Sequence, residues 1–232
     1  MDESKVTRYA TENYVDENIP PLDGYANKNN PVFTGSISLG RKKGTTVGEN
    51  SFAVGEDIEA SGYQSHAEGG FTVASGDYSH TEGDTTNASG DYSHAEGSST
   101  TASGNCSHAE GGFTTASGWH SHAEGSHTTA SNYSSHAEGY WTKASSQNQH
   151  VQGKYNIEDT ANKYAHIVGN GTADGTRSNA HTLDWQGNAW YAGKLSQEGT
   201  PTEDKDLVNK KYVDDMVGDI QNTLNTIIGG GQ

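Results

Sequence analysis

The chain has 232 residues, with 30 acidic against 14 basic side chains and a net charge of −16. That charge argues against nucleic acid and anionic membrane surfaces as partners, because their negative charge would repel it. The sequence has no apolar run approaching about 18 residues, and Met1-Asp2-Glu3 is not a basic, apolar leader, so we expect neither membrane insertion nor a signal peptide.

Residues 1–47 are predicted to form an N-terminal attachment segment and a strand lead-in. A short helix or coiled segment is expected over residues 1–30, and it ends at Pro20-Pro21. The run NPVFTGSISLG at residues 30–40 then favours a strand pair that leads into the rest of the chain.

Residues 48–153 contain a 14-residue repeat without insertions. The block SHAEG or SHTEG starts at Ser65, Ser79, Ser93, Ser107, Ser121 and Ser135. SFAVG at Ser51 opens the series, and QHVQG at Gln149 closes it. A short fixed period indicates stacked coils, and fourteen residues suffice for two short strands and two glycine turns. We therefore predict a parallel β-roll with strands about 4.8 Å apart.

Residue parity predicts which side chains fill the roll. In the block beginning at Ser65, Ser and Ala share one face of the strand, while His and Glu share the other. In the second strand Thr72 and Ala74 share a face, and the residue between them varies from coil to coil. Ser, Ala and Thr are thus expected inside, where they bury too little apolar area for a stable monomer. Inward threonines also conflict with ice binding.

The His/Glu columns are predicted to be covered by the same face of other chains around a rotation axis, in an obligate homo-oligomer. Apolar residues occupy the same columns in the opening coil, which indicates a covered face. The predicted ladder at this axis consists of Phe52, Val54, His66, Glu68, His80, Glu82, His94, Glu96, His108, Glu110, His122, Glu124, His136, Glu138 and His150.

The repeat resembles a known family. SFAVG, and SHAEG as its polar variant, resemble the SVAIG-type repeats in the head domains of trimeric autotransporter adhesins. The resemblance covers roughly residues 48–153 and implies a left-handed parallel β-roll within a trimer.

Residues 154–203 are predicted to form a β-rich cap and a linker, since the open end of a stacked roll needs a cover. Trp185, Trp190 and Tyr191 are predicted to be core residues of this cap rather than a binding surface. The linker at the end of this segment contains Gly199 and Pro201, which disfavour regular secondary structure.

Residues 204–232 are predicted to form a C-terminal coiled-coil helix. Its apolar residues are spaced four, three, four and three, and isoleucine at two d positions is compatible with a trimer. Two heptads are too short to associate alone, so the trimeric roll would hold the helix. The predicted seam consists of Val213, Val217, Ile220, Leu224 and Ile227.

Several short segments resemble phage tail proteins. YVD at residues 14–16, NPVFTG at 30–35 and KKYVDD at 210–215 are similar to elements of tail fibres. AHIVGNGTADGTRSNAHTLDWQGNAWYAG at residues 165–193 resembles a segment common in tail proteins of phages that infect Gram-positive bacteria. Together these resemblances imply a virion tail protein.

No catalytic or cofactor-binding residues are predicted. An enzyme needs one asymmetric constellation, whereas the His/Glu pair recurs at every level. The structural interpretation is that His donates to Glu, so that a polar face is buried without unpaired charge. The alternative is a zinc or iron ion bound by equivalent histidines of three chains. His120 and His122 are the best-defined, though weak, candidates for binding such an axial ion. Cys106, the single cysteine, allows no intrachain disulfide.

Aromatic residues occupy variable turn positions and are expected on an outer edge of the roll. They are candidates for contact with host cell-wall carbohydrate, because variable positions on a fixed scaffold often bind ligands. The alternative is that they pack on one another across coils or chains. The candidate receptor contacts are Phe71, Tyr78, Tyr92, Phe113, Trp119, Tyr133, Tyr140 and Trp141.

The sequence as a whole predicts an all-β-dominated, structural homotrimeric phage tail fibre or tail-tip protein, without enzyme activity. We expect it to be made in the host cytoplasm and to sit in the virion tail beside other tail proteins. One alternative is a bacterial trimeric surface adhesin, which the missing leader disfavours. The other is a self-cleaving fibre, for which no Ser/Lys, Ser/Asp or Cys/His nucleophile stands out after Gly153.

Overall fold

The fold is β-dominated, a β-solenoid of about ten turns followed by a C-terminal helix. The structure is a computed structural model that describes residues 36–195, 201–202 and 210–229. The predicted N-terminal helix, and the YVD and NPVFTG segments, lie outside the described residues. The predicted β-roll is thus confirmed as a solenoid.

Two layers of parallel strands build each coil. The longer strands are β1 (Ile37–Arg41), β2 (Phe52–Ala60), β3 (His66–Gly70), β5 (His80–Asp84), β7 (His94–Ser98), β9 (His108–Gly112), β11 (His122–Ser126), β13 (His136–Tyr140), β15 (His150–Lys154) and β16 (Tyr164–Asn170). The two-residue strands of the second layer are β4 (Val73–Ala74), β6 (Asn87–Ala88), β8 (Thr101–Ala102), β10 (Thr115–Ala116), β12 (Thr129–Ala130) and β14 (Lys143–Ala144). An antiparallel hairpin of β17 (Asn179–Asp184) and β18 (Ala189–Tyr191) extends β16.

Equivalent residues of successive coils stack in register. His94 pairs with His108, which pairs with His122, and the same shift of fourteen residues holds along the repeat. The long sheet continues beyond residues 48–153 at both ends, since β1 pairs with β2 and β16 pairs with β15, all in parallel. An unbroken stack of similar coils follows, with identical side chains one above another.

Small residues fill the interior, as parity predicts. Ser65, Ala67, Thr72 and Ala74 are at most 1% exposed, and their equivalents in the following repeats are buried as well. The serine hydroxyl donates to the carbonyl three residues earlier, for example from Ser65 to Gly62 at 2.8 Å, which fixes the turn. Because these side chains are small, the two layers approach closely.

A buried carboxylate organises the loop at the C-terminal end of the roll. Asp159 accepts hydrogen bonds from Gln149 Nε2 at 3.1 Å and from the backbone N–H groups of Ala161, Lys163 and Tyr164 at 3.1, 2.9 and 2.8 Å. Replacing Asp159 by alanine would remove the acceptor of these four hydrogen bonds and would leave the fully buried Gln149 Nε2 with the Tyr164 carbonyl oxygen as its one remaining partner among the described residues. We expect chemical denaturation to show that the free energy of unfolding falls by roughly 3–5 kcal/mol.

The matched control for that substitution is Asp77→Ala. The Asp77 carboxylate is exposed and accepts one backbone N–H, from Tyr63 at 2.9 Å. We expect this variant to lose less than about 1 kcal/mol of its free energy of unfolding. Equal losses for the two variants would contradict the role given to Asp159.

The C-terminal helix, α1, spans Lys210–Gly229. All five residues of the predicted seam lie on it and are between 44% and 70% exposed in the single chain. The helices in the described part of the chain fall short of the length and hydrophobicity needed to cross a membrane. The seam is therefore an exposed apolar stripe along α1, beside which Met216 and Ile228 are exposed as well.

Candidate functional site

The outer face of the long sheet carries a continuous stack of rings. This face, which we call the ladder face, presents the histidine at the start of each of β3, β5, β7, β9, β11, β13 and β15. Neighbouring histidine rings are parallel within 19°, with centroids 4.5–4.8 Å apart. The spacing follows from the distance between paired strands, because identical side chains stack in register.

The stack is longer than the sequence analysis predicts. Phe52 packs edge-on against His66 at 4.9 Å at one end. At the other end His150 is followed by His166, His181 and Tyr191, with centroid distances of 5.2, 5.5 and 4.5 Å. The spacings from His150 to His166 and from His166 to His181 are 16 and 15 residues, so the 14-residue period did not predict this continuation. The presence of a histidine at each position was the one feature that indicated it. Eleven rings thus follow one another along the ladder face.

Glutamates line the same face beside the histidines. Within a coil, Nε2 of His66, His94 and His108 lies 3.6–3.8 Å from the carboxylate two residues later. At His136 and His150 the carboxylate belongs to the preceding coil, at 3.5 Å. These distances are too long for good hydrogen bonds, so the pairs interact mainly through charge.

Ladder histidines favour the neutral state. Burial, and next the like charge of neighbouring imidazoles, lower the pKa of several of them below the usual 6.5, while the glutamates offset this only in part. The affected groups are His66, His80, His94, His122, His150 and His166. The seven Nε2 atoms of the repeat are also buried and without a hydrogen-bond partner within the described part of the chain. A single chain therefore leaves the polar face incompletely satisfied.

The ladder contains groups with the ligand types of a metal site. Two histidines and one glutamate lie within 4.8 Å of one another at His94/Glu96/His108, His108/Glu110/His122 and His136/Glu138/His150, and Glu68/His80/Glu82 form a similar group. His120 is in none of these groups among the described residues. It lies at a turn with φ 56°, where its ring contacts Tyr133 at 5.4 Å, while His122 lies in the ladder. The structure therefore separates this predicted pair.

Two turn columns display the candidate receptor residues. Both columns adopt φ between +43° and +58°, which is uncommon for bulky side chains. The phenylalanine edge is the column Phe71, Thr85, Ser99, Phe113, His127, Trp141 and Tyr155. The tyrosine edge is the column Gln64, Tyr78, Tyr92, Cys106, His120, Ser134 and Asn148. Trp119 and Tyr133 adjoin the tyrosine edge, and Tyr140 adjoins the phenylalanine edge.

Stacking occupies some of these rings and leaves others open. Tyr78 and Tyr92 are parallel at 4.9 Å, and His127 lies 4.3 Å from Trp141, so these rings cover one another. Phe71 has Asp57 and Thr85 at the equivalent turn position of the adjoining coils and is 52% exposed. Packing across coils thus holds for the stacked rings, and receptor contact stays a prediction for exposed rings such as Phe71.

The prediction that the cap aromatics form a core was wrong. Trp185, Trp190 and Tyr191 are 44%, 55% and 46% exposed. The short second layer ends at Ala144 and leaves Trp190 without an opposing strand in the described part of the chain, while Trp185 lies in the turn between β17 and β18. Tyr191 extends the ladder, whereas Trp190 lies on the opposite face and lines a groove of about 710 Å³. Residues of β16, β17 and β18 and of the loop before β16 line this groove.

Comparison with known proteins does not identify the chain. No protein-family model matches it, and no curated protein matches it significantly.

Proposed function

We propose that this chain is the structural shaft of a homotrimeric phage tail fibre or tail-tip protein, located in the virion tail and attached to other tail proteins. The ladder face carries this proposal. It is a repetitive surface whose rings and carboxylates are partly exposed, and Nε2 of each repeat histidine has no hydrogen-bond partner in the described part of one chain. Packing three such faces around an axis would remove them from water and supply the missing partners.

Two further features support the assignment. The exposed stripe on α1 has the heptad spacing of a coiled-coil seam, so the same trimer would cover it. The resemblance of residues 165–193 to phage tail proteins supports the tail location, and the resemblance of the repeat to adhesin heads supports the trimer. We assign no catalytic role and no resident cofactor, because the same His/Glu pair recurs in every coil.

The oligomer and its acid sensitivity form the test. Light scattering at pH 7.5 is expected to give three times the 24.6 kDa chain mass. The lowered histidine pKa values mean that the unfolded chain takes up protons first as the pH falls below about 6.5. Stability that is present above that pH is then lost as the histidines of the ladder become charged beside one another. We expect dissociation or unfolding near pH 4.5.

A stable monomer at pH 7.5 would contradict the shaft proposal. A trimer that is unaffected at pH 4.5 would place the ladder face away from the interface. The alternative is a bacterial trimeric surface adhesin, for which the same mass is expected. Antibody labelling of phage particles and of cell surfaces separates the two, since only the tail-fibre proposal expects labelled tails.

We also propose that the most exposed aromatic rings on and beside the phenylalanine and tyrosine edges contact the host receptor. Phe71, Tyr92, Phe113 and Trp119 are 52–62% exposed, which makes them the most accessible of the candidate rings. Exposed rings on a rigid acidic shaft suit an uncharged carbohydrate better than an anionic surface.

A further inference from the structure

We propose that the groove beside Trp190 is a binding site for uncharged oligosaccharides. This inference goes beyond the shaft proposal, because the groove is formed within one chain. Its position follows from the register of the sheet. The buried interior column runs from Val151 through Ile167 and Thr182 to Trp190, and each of these residues pairs with the next. Exposure rises from 0% at Ile167 and 3% at Thr182 to 55% at Trp190.

The groove opens where the second layer of the roll stops. β14 is the last short strand in the described residues, so the inner face of the hairpin β17–β18 has no opposing strand. Side chains alternate along a strand, which places Thr182 and Trp190 opposite His181 and Tyr191 of the ladder. A trimer formed through the ladder face would therefore leave the groove accessible from outside.

The dimensions fit a small oligosaccharide. A volume of about 710 Å³ lies within the range of roughly 300–1,000 Å³ for small-molecule sites. Its lining combines the rings of Trp190 and Tyr164 with the polar side chains of Asn170, Asn179 and Asp184. An exposed indole can pack against the apolar face of a pyranose, while the polar groups meet its hydroxyls.

The polar groups are held in place by their own hydrogen bonds. Asn179 Oδ1 accepts from the backbone N–H of Ile157 at 2.8 Å, and Asn170 Oδ1 accepts from Ser178 Oγ at 2.6 Å. In both amides the oxygen is used, so the NH₂ group remains as a donor for a ligand. A sugar hydroxyl can accept from such a donor and can donate to a carboxylate.

Asp184 provides that carboxylate. It accepts from the backbone N–H groups of Gln186 and Asn188 at 2.9 and 2.8 Å and from Asn188 Nδ2 at 2.9 Å. These hydrogen bonds lower the pKa of Asp184, and the bond from the Asn188 side chain has the largest effect. Asp184 is therefore ionised at neutral pH. A purely apolar ligand would leave the two amide NH₂ groups without an acceptor and would take the charged Asp184 carboxylate out of water, which disfavours lipid or an apolar peptide.

The negative charge around the groove restricts the class of glycan that it can bind. Lys163 lines the groove, but its Nζ lies over the Tyr164 ring at 4.8 Å from the centroid, and Asp184 stands nearby. The whole chain carries a net charge of −16. Sialylated or phosphorylated glycans would meet this negative field with one lysine to balance it. The groove therefore favours neutral hexose and N-acetylhexosamine units.

The test uses the full chain on an array of immobilised neutral, sialylated and phosphorylated glycans. We expect retention by neutral glycans and a loss of about tenfold or more in affinity for Trp190→Ala. Trp185→Ala is the matched control, since Trp185 lies in the same hairpin, is exposed and does not line the groove. Asn179→Asp keeps the acceptor for Ile157 but removes the NH₂ donor, so we expect weaker binding at an unchanged melting temperature.

Three results would overturn the proposal. They are no retention of the full chain by any neutral glycan, retention by anionic glycans alone, and equal binding by Trp190→Ala and Trp185→Ala. Binding that survives Trp190→Ala but is lost in Phe71→Ser would move the receptor site to the phenylalanine edge. The oligomer mass tests the shaft proposal separately, so a trimer without glycan binding refutes the groove alone.

Discussion

Gly97→Ala is expected to unfold much of the roll or to lower its melting temperature sharply. Gly97 has φ +104°, and a Cβ there would lie 2.1 Å from the carbonyl oxygen of Gly111 in the next coil. The dihedral strain alone costs about 1–3 kcal/mol. Relieving the contact would require the coils to separate, although backbone hydrogen bonds fix their spacing on both sides. We expect a loss of at least about 3 kcal/mol in thermal or chemical denaturation.

Gly112→Ala is the control for Gly97→Ala. Gly112 lies in the next coil, its φ is outside the left-handed region, and a Cβ there would meet no atom within 4 Å. We expect this variant to melt within a few degrees of the unchanged chain, since an ordinary surface substitution costs about 0.5 kcal/mol or less. Similar large losses in both variants would show that the roll tolerates no alanine at any glycine, whatever its contacts.

Replacing all seven repeat histidines of the ladder by alanine is expected to weaken the assembly strongly. The change removes six stacked ring pairs per chain, each worth about 0.5–1.5 kcal/mol, and uncovers the neighbouring glutamates. We expect the free energy that stabilises the assembly to fall by about 3 kcal/mol or more per chain. This loss should lower the melting temperature and cause dissociation that light scattering detects. The substituted positions are His66, His80, His94, His108, His122, His136 and His150.

A second ladder variant serves as the control, with valine at the seven histidines and isoleucine at the six glutamates. It retains volume on the ladder face and removes the charges that burial would penalise. We expect this variant to remain trimeric, because apolar side chains suit a covered face better than paired charges do. Unchanged melting of the alanine variant would show that the ladder face is not buried.

The repeat itself was readable from the sequence because a solenoid is governed by short-range order. Each coil pairs with the coil fourteen residues away, so a constant spacing fixes the register at Ala67, Thr81 and Ala95 alike. Alternation within a strand then assigned Ser, Ala and Thr to the interior. The trimer axis, the metal alternative and the receptor contacts stay predictions, because each depends on a second chain or a ligand.

The cap shows where sequence reasoning failed. Large aromatic residues are usually buried, which made Trp185 and Trp190 plausible core residues. The exposure of Trp190 depends on which strand lies opposite it, and the second layer that would supply one ends at Ala144, more than 40 residues earlier. Trp185 lies in the turn between β17 and β18. Local pattern carries no information about such a missing neighbour.

By itself the sequence determined the period, the solenoid, the small-residue interior and the single face that carries histidine and glutamate, because these follow from stacking one repeat on the next. Only the tertiary structure decided that His166, His181 and Tyr191 continue the ladder and that Trp190 opens a groove. Both depend on an irregular loop and on antiparallel pairing of β16, β17 and β18, and these bring together residues whose spacing no longer repeats.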